Sequence, residues 1–263
     1  MGILLRTYRA LFARPIFFRL NRLLYRLSLS GMGILNYENS RTSGERHFLS
    51  RHLGGRASCV VFDVGANRGG YSREVFEVCP QATVYAFEPH PKTFEMLEAA
   101  FDQPGFLAVN AAAGEQAGEV SLFDYMAKDG SSHASLYRDV IENIHHAESV
   151  EHKVRVLALE PFCRERQIGH IDLLKVDTEG NELAVLRGLA SYLQAGKVSA
   201  IQFEFNEMNV SSRTFFRDFL ELLPNYEFYR LLPSGWIPVG DYSAVHFEIF
   251  AFQNIVAILK KHR

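Results

Sequence analysis

The sequence predicts an α/β protein, a doubly wound, Rossmann-like sheet of about seven strands with an N-terminal helical extension. Three observations carry that expectation. From about residue 57, short apolar runs alternate with amphipathic stretches of about 10 to 12 residues, the pattern of parallel strands joined by crossover helices. The first run ends in the glycine-rich turn "GANRGG", where doubly wound sheets open their ligand crevice. The first 37 residues follow a different rule, with six arginines, no acid and apolar residues at helical spacing.

Residues 1–45 are therefore expected as a basic amphipathic helical extension and residues 46–263 as the α/β domain. In the extension, Leu4, Leu5, Tyr8, Leu11 and Phe12, then Leu20, Leu23, Leu24 and Leu27, keep a helical period that breaks near Pro15. "SCVVFDVG" reads as a buried first strand, "GGYSREVFEVCP" as an amphipathic helix and "ATVYAFEP" as a second strand. "HPKTFEMLEAAF" is a helix with Pro91 in its first turn, and "GFLAVNAAAG" is a third strand running into a loop. The alternation then breaks. "GEVSLFDY" and "HKVRVLAL" are strand-like, and residues 125–150 between them are polar and rich in Gly, Ser and His. It resumes with the strand "HIDLLKVDTEG", the helix "NELAVLRGLASYL", the strand "KVSAIQFEFNE" and the helix "SRTFFRDFLELL". "YEFYRLL" and "HFEIFAFQNIVAIL" are expected to close the sheet as a hairpin-like pair.

Composition narrows the function classes. A chain of 263 residues, 48% apolar and 22% charged, suits one globular domain with an appendage. A net charge of −2 provides no basic field, so nucleic acid is not expected as a partner. Cys59, Cys79 and Cys163 are odd in number and form no CxxC pair, so they are expected reduced, as in a cytoplasmic protein. Arginines interrupt every apolar run of the extension, which excludes a transmembrane span there and leaves no core for a secretory signal. The extension suits peripheral contact with the inner membrane face. Packing on the main domain or on a second copy stays open beside that, and with it homo-oligomerisation.

The glycine turn carries the first chemical signal. Gly65 permits a sharp turn, and Gly69 and Gly70 let a ligand and a helix approach the backbone. Asn67 stands where a dinucleotide fingerprint has its middle glycine, and its side chain would crowd a pyrophosphate. Asp63 adds a negative charge that disfavours phosphate and suits a cation. Glu88 ends the second strand 23 residues after Gly65, where a carboxylate can accept both hydroxyls of a ribose. Ribose recognition at a site that accepts positive charge points to S-adenosyl-L-methionine as cofactor. The plain structural alternative is a pair of strand-end carboxylates capping helices.

"FDVGANRGGYS", "AFEPHP", "VNAAAG" and "IDLLKVDTEGNELAVLRG" resemble the motifs of the FkbM-type methyltransferases, a class I family dependent on S-adenosylmethionine. The resemblance runs from about residue 58 to about residue 252, and the region ending in "GILNYEN" is more loosely similar to members found beside glycan-assembly genes. It implies an O-methyltransferase that moves a methyl to a hydroxyl of a saccharide or related natural product, hence a small-molecule or glycan acceptor. It also implies that Asp63, Gly65, Asn67, Gly69 and Ser72 hold the methionine end, that Glu88 binds the ribose, and that Asn110 and Ala111 flank the adenine. Two positions depart from the usual pattern: Leu159-Glu160 where Leu-Asp is frequent, and Thr178 where Val is usual. Neither carries obvious chemistry.

An alcohol is a poor nucleophile near neutral pH, so a general base or a metal is expected. Asp177 and Glu179 are the candidate carboxylate bases, sharing a face with Lys175 if the strand continues through "KVDTEG". His133, in "DGSSHASLY", is the histidine candidate. Asp177 with Glu204 and Asn206 could instead form an oxygen-rich Mg²⁺ site; the expected site is metal-free. Trp236 would either close over a sugar ring or cover a core edge. Two other classes compete. One is an NAD-binding oxidoreductase of Rossmann type, which Asn67 disfavours. The other is a non-catalytic cofactor-binding or scaffold protein in glycan assembly.

Overall fold

Apolar strands that need cover on both faces force the architecture. The computed structural model describes residues 2–125, 130, 134–136, 142 and 146–260. Its strands are β1 (Val60–Val64), β2 (Thr83–Phe87), β3 (Phe106–Val109), β4 (Ala112–Ala113), β5 (Gly118–Tyr125) and β6 (Ser149–Leu157). They continue with β7 (Leu173–Val176), β8 (Ala200–Phe205), β9 (Tyr226–Leu232), β10 (Gly235–Pro238) and β11 (Gln253–Leu259). Eight form one sheet in the order β10-β9-β11-β8-β7-β1-β2-β3. β3, β2, β1, β7 and β8 pair in parallel, and β11 is antiparallel to β8 and β9. The strand order switches between β1 and β7, so the crevice opens at their carboxyl ends.

The break in the alternation has a structural counterpart. "GEVSLFDY" and "HKVRVLAL" lie in β5 and β6, an antiparallel pair that, with β4, makes a separate three-stranded sheet. The eighth strand of the main sheet is β10, which turns back on β9 at the edge. β10 carries Trp236, whose ring meets Phe48 edge-on at 5.9 Å. Trp236 therefore covers a core edge.

Three expectations need correction. β9 and β11 are antiparallel neighbours, but β10 and a helical turn, Ala244–Phe247, lie between them in the chain. "HFEIFAF" bends away from a strand because Phe247 is buried against Phe216 and Glu248 caps the backbone N–H groups of Phe216 and Arg217. "NELAVLRGLASYL" divides into helices Glu182–Arg187 and Ala190–Gln194, and the carbonyl of Gly188 accepts the Glu160 N–H instead of continuing the helix. "SRTFFRDFLELL" is helical only over Phe216–Leu222, starting where Asp218 accepts the N–H of Phe215.

Packing is dominated by phenylalanine. Phe203 on β8 is fully buried and stacks on Phe219 of the covering helix with ring centroids 4.4 Å apart. Phe62, Phe87, Phe205 and Phe216 belong to the same core. The three cysteines are free and buried. By contrast, helix Gly2–Phe12 buries no residue, and helix Phe18–Gly31 buries only Leu29; a short 3₁₀ turn at Pro15–Phe17 joins them. Among the described residues no helix is long and apolar enough to cross a membrane. Removing the stacked ring at the core centre leaves a cavity that the sheet cannot close. Phe203→Ala should therefore lower the unfolding free energy by about 3–5 kcal/mol in a denaturant titration.

Candidate active site

The site begins with the register of three strands. Asp63 pairs with Lys175, and Lys175 pairs with Gln202, so all three side chains share one face of the sheet. Asp63 is fully buried, and its Oδ2 accepts a 2.6 Å hydrogen bond from the Ser72 hydroxyl. Its Oδ1 has no hydrogen-bond donor and lies 3.8 Å from the Lys175 ammonium. The same ammonium donates to Asp177 Oδ2 at 3.1 Å. Burial pushes the Asp63 carboxyl up, while Lys175 and the Ser72 hydroxyl pull it back. Burial alone would lower the Lys175 ammonium, but Asp177, Asp63 and Glu45 outweigh it and hold it above its usual range. Gln202 completes the row, accepting from Tyr71 Oη at 2.8 Å and donating to Glu45 Oε1 at 2.8 Å.

The turn after β1 is shaped by a close approach. At Gly65, where φ is +81°, a Cβ would sit 1.7 Å from the Asp177 carbonyl oxygen. Only glycine lets the ends of β1 and β7 come together there. The N–H groups of Gly65 and Ala66 both donate to the Phe87 carbonyl at 3.0 Å, tying the turn to the end of β2. Asn67 takes a left-handed φ of 48°, and its N–H donates to Glu88 Oε2 at 2.9 Å. The other oxygen, Oε1, accepts the His90 N–H at 2.9 Å. Each oxygen keeps a second lone pair. Burial pushes the Glu88 carboxyl up to about 7, against the pull of those two N–H groups.

The opposite wall comes from the loop after β7. Asp177, Thr178 and Glu179 line the cleft, and Glu179 has a left-handed φ of 52° because β7 ends at Val176. The shared face expected from continued alternation therefore stops at Asp177. Buried Glu182 shapes this loop: its Oε1 accepts from the Thr178 N–H at 2.9 Å, the Thr178 hydroxyl at 3.0 Å and the Gly180 N–H at 3.1 Å. Asn181 donates to the Ala113 carbonyl at 3.0 Å, which joins the loop to the small sheet. That sheet and its flank add Leu122, Ala134 and Leu136 as an apolar wall. The cleft holds about 740 Å³ of empty space including its open mouth. Its charged lining residues, among those described, are Glu88, Asp177 and Glu179, and all are acids.

Gly65, Asn67, Glu88, Ala111, Asp177 and Glu179 thus converge on one cleft. Asp63, Gly69, Ser72 and Asn110 do not line it. Asp63 and Ser72 hold each other behind the turn. Gly69 makes room for Phe101, whose ring a Cβ would meet at 2.2 Å. Asn110 Nδ2 donates to the carbonyls of Glu88 and Pro89 at 2.9 and 3.3 Å, fixing the strand end. His133 lies outside the described residues. Asn206 donates to Glu204 at 2.7 Å and accepts the Met208 N–H at 2.8 Å, which commits its amide to the local turn. Among the described residues no three His, Cys, Asp or Glu side chains gather in a metal-binding group. Sequence reasoning missed Asn181, Glu182, Gln202, Tyr71 and Glu45. Glu182, four residues after Thr178, had a local capping signal; the others depend on strand register and helix docking.

The model of the methyltransferase FkbM domain matches residues 63–230. The chain belongs to this family. As an FkbM-family methyltransferase it is similar to "Methyltransferase 1" of Beauveria bassiana, 32% identical over 49% of this chain and 57% of that protein. It is 25% identical to the 2-O-methyltransferase NoeI of Sinorhizobium fredii over 67% of this chain and 75% of the relative. It is 27% identical to the hexuronic acid methyltransferase AglP of Haloferax volcanii over 52% of each. The chain thus spans between about half and three-quarters of these relatives' lengths.

The acids of the cleft couple the stability of the chain to pH. The Glu88 carboxyl stands at about 7 in the folded chain against an ordinary 4.5, so the folded state holds a proton that the unfolded state has released between those values. Its contribution to stability is full below about pH 4.5 and is lost as pH rises through about 7. Glu88→Gln should flatten this dependence: between about pH 5 and pH 8 the ligand-free variant should lose less stability than the parent, by on the order of 3 kcal/mol in denaturant melts.

Proposed function

We propose that this methyltransferase moves a methyl from S-adenosylmethionine to a hydroxyl oxygen of a saccharide or related natural product. The observation that carries the cofactor is Glu88. Its carboxylate sits at the end of β2 beside the glycine turn, held by two backbone N–H groups, with one lone pair on each oxygen left for a ribose diol. The acidic lining suits a sulfonium and an ammonium and repels phosphate. The cleft provides no anion-binding cation among its described lining residues, which disfavours the dinucleotide reading.

S-adenosylmethionine supplies an already activated methyl, so the chain's tasks are alignment, exclusion of water and removal of one proton. Ala111, Ala112, Leu122 and Leu136 make the dry side of the cleft. Lys175 holds one oxygen of Asp177, which leaves the other to take the acceptor's hydroxyl proton. Glu179 lines the same wall and is the second candidate base; His133 is a third. The saccharide class is supported by two relatives whose names specify a 2-O-methyltransferase and a hexuronic acid methyltransferase. Release of S-adenosylhomocysteine in the presence of candidate glycans tests the reaction as a whole.

Two variants separate binding from chemistry. Glu88→Ala should weaken S-adenosylmethionine binding by about 2–3 kcal/mol in calorimetry, with the fold retained by circular dichroism. An unchanged dissociation constant would remove Glu88 from the ribose. Asp177→Asn should cut turnover on the order of 100-fold or more while cofactor affinity barely moves. Full activity in that variant would transfer the base to Glu179 or His133, and activity lost to a chelator and restored by Mg²⁺ would make Asp177 a metal ligand.

A further inference from the structure

We propose that the N-terminal helix pair docks the molecule on an anionic lipid surface. Helix Phe18–Gly31 aligns Leu20, Leu23, Leu24 and Leu27 at the spacing of one face, with Arg19, Arg22 and Arg26 displaced around the helix from it. Helix Gly2–Phe12 repeats the arrangement, with Arg6 and Arg9 displaced from Leu4, Tyr8 and Leu11. All of these leucines are exposed, from Leu20 at 40% to Leu4 at 74%. Twelve of the 18 large apolar side chains exposed among the described residues lie within residues 3–27. A run of exposed apolar surface of this kind marks an interaction site.

Charge selects the occupant. Residues 1–37 hold six of the 28 lysines and arginines and none of the 30 aspartates and glutamates, so the remainder of the molecule is net acidic. Arginine stems lie along apolar surface while their guanidinium groups reach phosphate, which matches the boundary between acyl chains and anionic headgroups. A second copy offers less. Among its described residues the body exposes scattered large apolar side chains, such as Met96 and Val245, and pairing two arms would bring arginines together.

The arm is also built to hold its shape and place. Tyr8 Oη donates to Asn21 Oδ1 at 2.6 Å, and Asn21 Nδ2 donates to the Phe12 carbonyl at 3.0 Å, so the two helices are tied across the Pro15 bend. The root is clamped to the main sheet: the Leu35 N–H donates to the Phe252 carbonyl at 2.8 Å, and Ile34 bridges Gln253. Gly33, with φ +82°, comes so close to the end of β9 that a Cβ would meet the Leu231 carbonyl at 2.2 Å. Gln253 pairs with Phe205, the last residue of β8. The root therefore sits at the carboxyl edge of the parallel strands, the edge that carries the cleft. A surface gripped by the arm would lie on the side from which the cleft takes its acceptor, whichever hydroxyl compound that is.

Co-sedimentation of the full chain with vesicles tests the proposal. The protein should bind vesicles of phosphatidylglycerol mixed with phosphatidylcholine, bind phosphatidylcholine alone far less, and be released by high salt. Arg19→Glu, Arg22→Glu and Arg26→Glu together should weaken binding on the order of 100-fold or more. Leu23→Ser, Leu24→Ser and Leu27→Ser together should also abolish it, and because these leucines are exposed and outside the core, the melting temperature should stay close to that of the parent. Three results would overturn the proposal. One is no binding to the anionic vesicles at low salt. Another is equal binding by parent and both variants. The third is a dimer in sedimentation equilibrium, without vesicles, that either variant dissociates, since that would assign the face to a second copy.

Discussion

The Lys175 ammonium, buried between the carboxylates of Asp63 and Asp177, joins the two strand ends from which the cleft is built. An ammonium leaves water at high cost unless opposite charges meet it at close range. The parallel register of β1 and β7 provides that by placing Asp63 beside Lys175. Tyr71 adds its ring face 5.5 Å from the ammonium, and its hydroxyl passes the network on to Gln202 and so to Glu45. The helix Glu45–His52, three strands and the helix Gly70–Val78 after the glycine turn are thereby locked to one charged row.

That row meets the cleft at Asp177, which lines it. Burial pushes the carboxyls of Glu45, Asp63, Glu88, Glu182 and Glu204 upward, and only one buried ammonium stands among them. Glu204 is raised well above its ordinary range by burial and then by Asp177 and Glu179. The acids that do line the cleft, Glu88, Asp177 and Glu179, favour a cationic ligand. The small sheet plays the complementary part. Its Leu122 and its contact through Asn181 put apolar surface opposite the acids, so polar alignment and exclusion of water come from different sheets.

Charge is segregated along the chain as well as within the cleft. The arm buries almost nothing and carries six arginines and no acid, while all the aspartates and glutamates lie in the body. Gly33, Ile34 and Leu35 connect the two at the carboxyl edge of the sheet. β8 and β11 lie between the arm's root and β7 in the sheet order.

The sequence by itself determined the doubly wound sheet, its first three strands and their helices, the glycine turn and Glu88 at its edge. These are local signals: hydrophobic period, punctuation by glycine and proline, and the spacing of an acid from a turn. It also determined Asp177 and Glu179 as acids at a strand end, though not that β7 stops at Val176 and turns Glu179 through a left-handed residue. Tertiary structure alone decided that Asp63 and Ser72 bond to each other behind the turn and that Asn110 holds carbonyls. It also decided that Gly69 yields space to Phe101 and Trp236 packs on Phe48. Each of those side chains had more than one partner within its chemical reach, and the choice fell to strand register and helix docking, which bring together residues as distant as Asp63, Lys175 and Gln202. Such contacts leave no period in the sequence, because they depend on which strands lie side by side and not on which residues are neighbours along the chain.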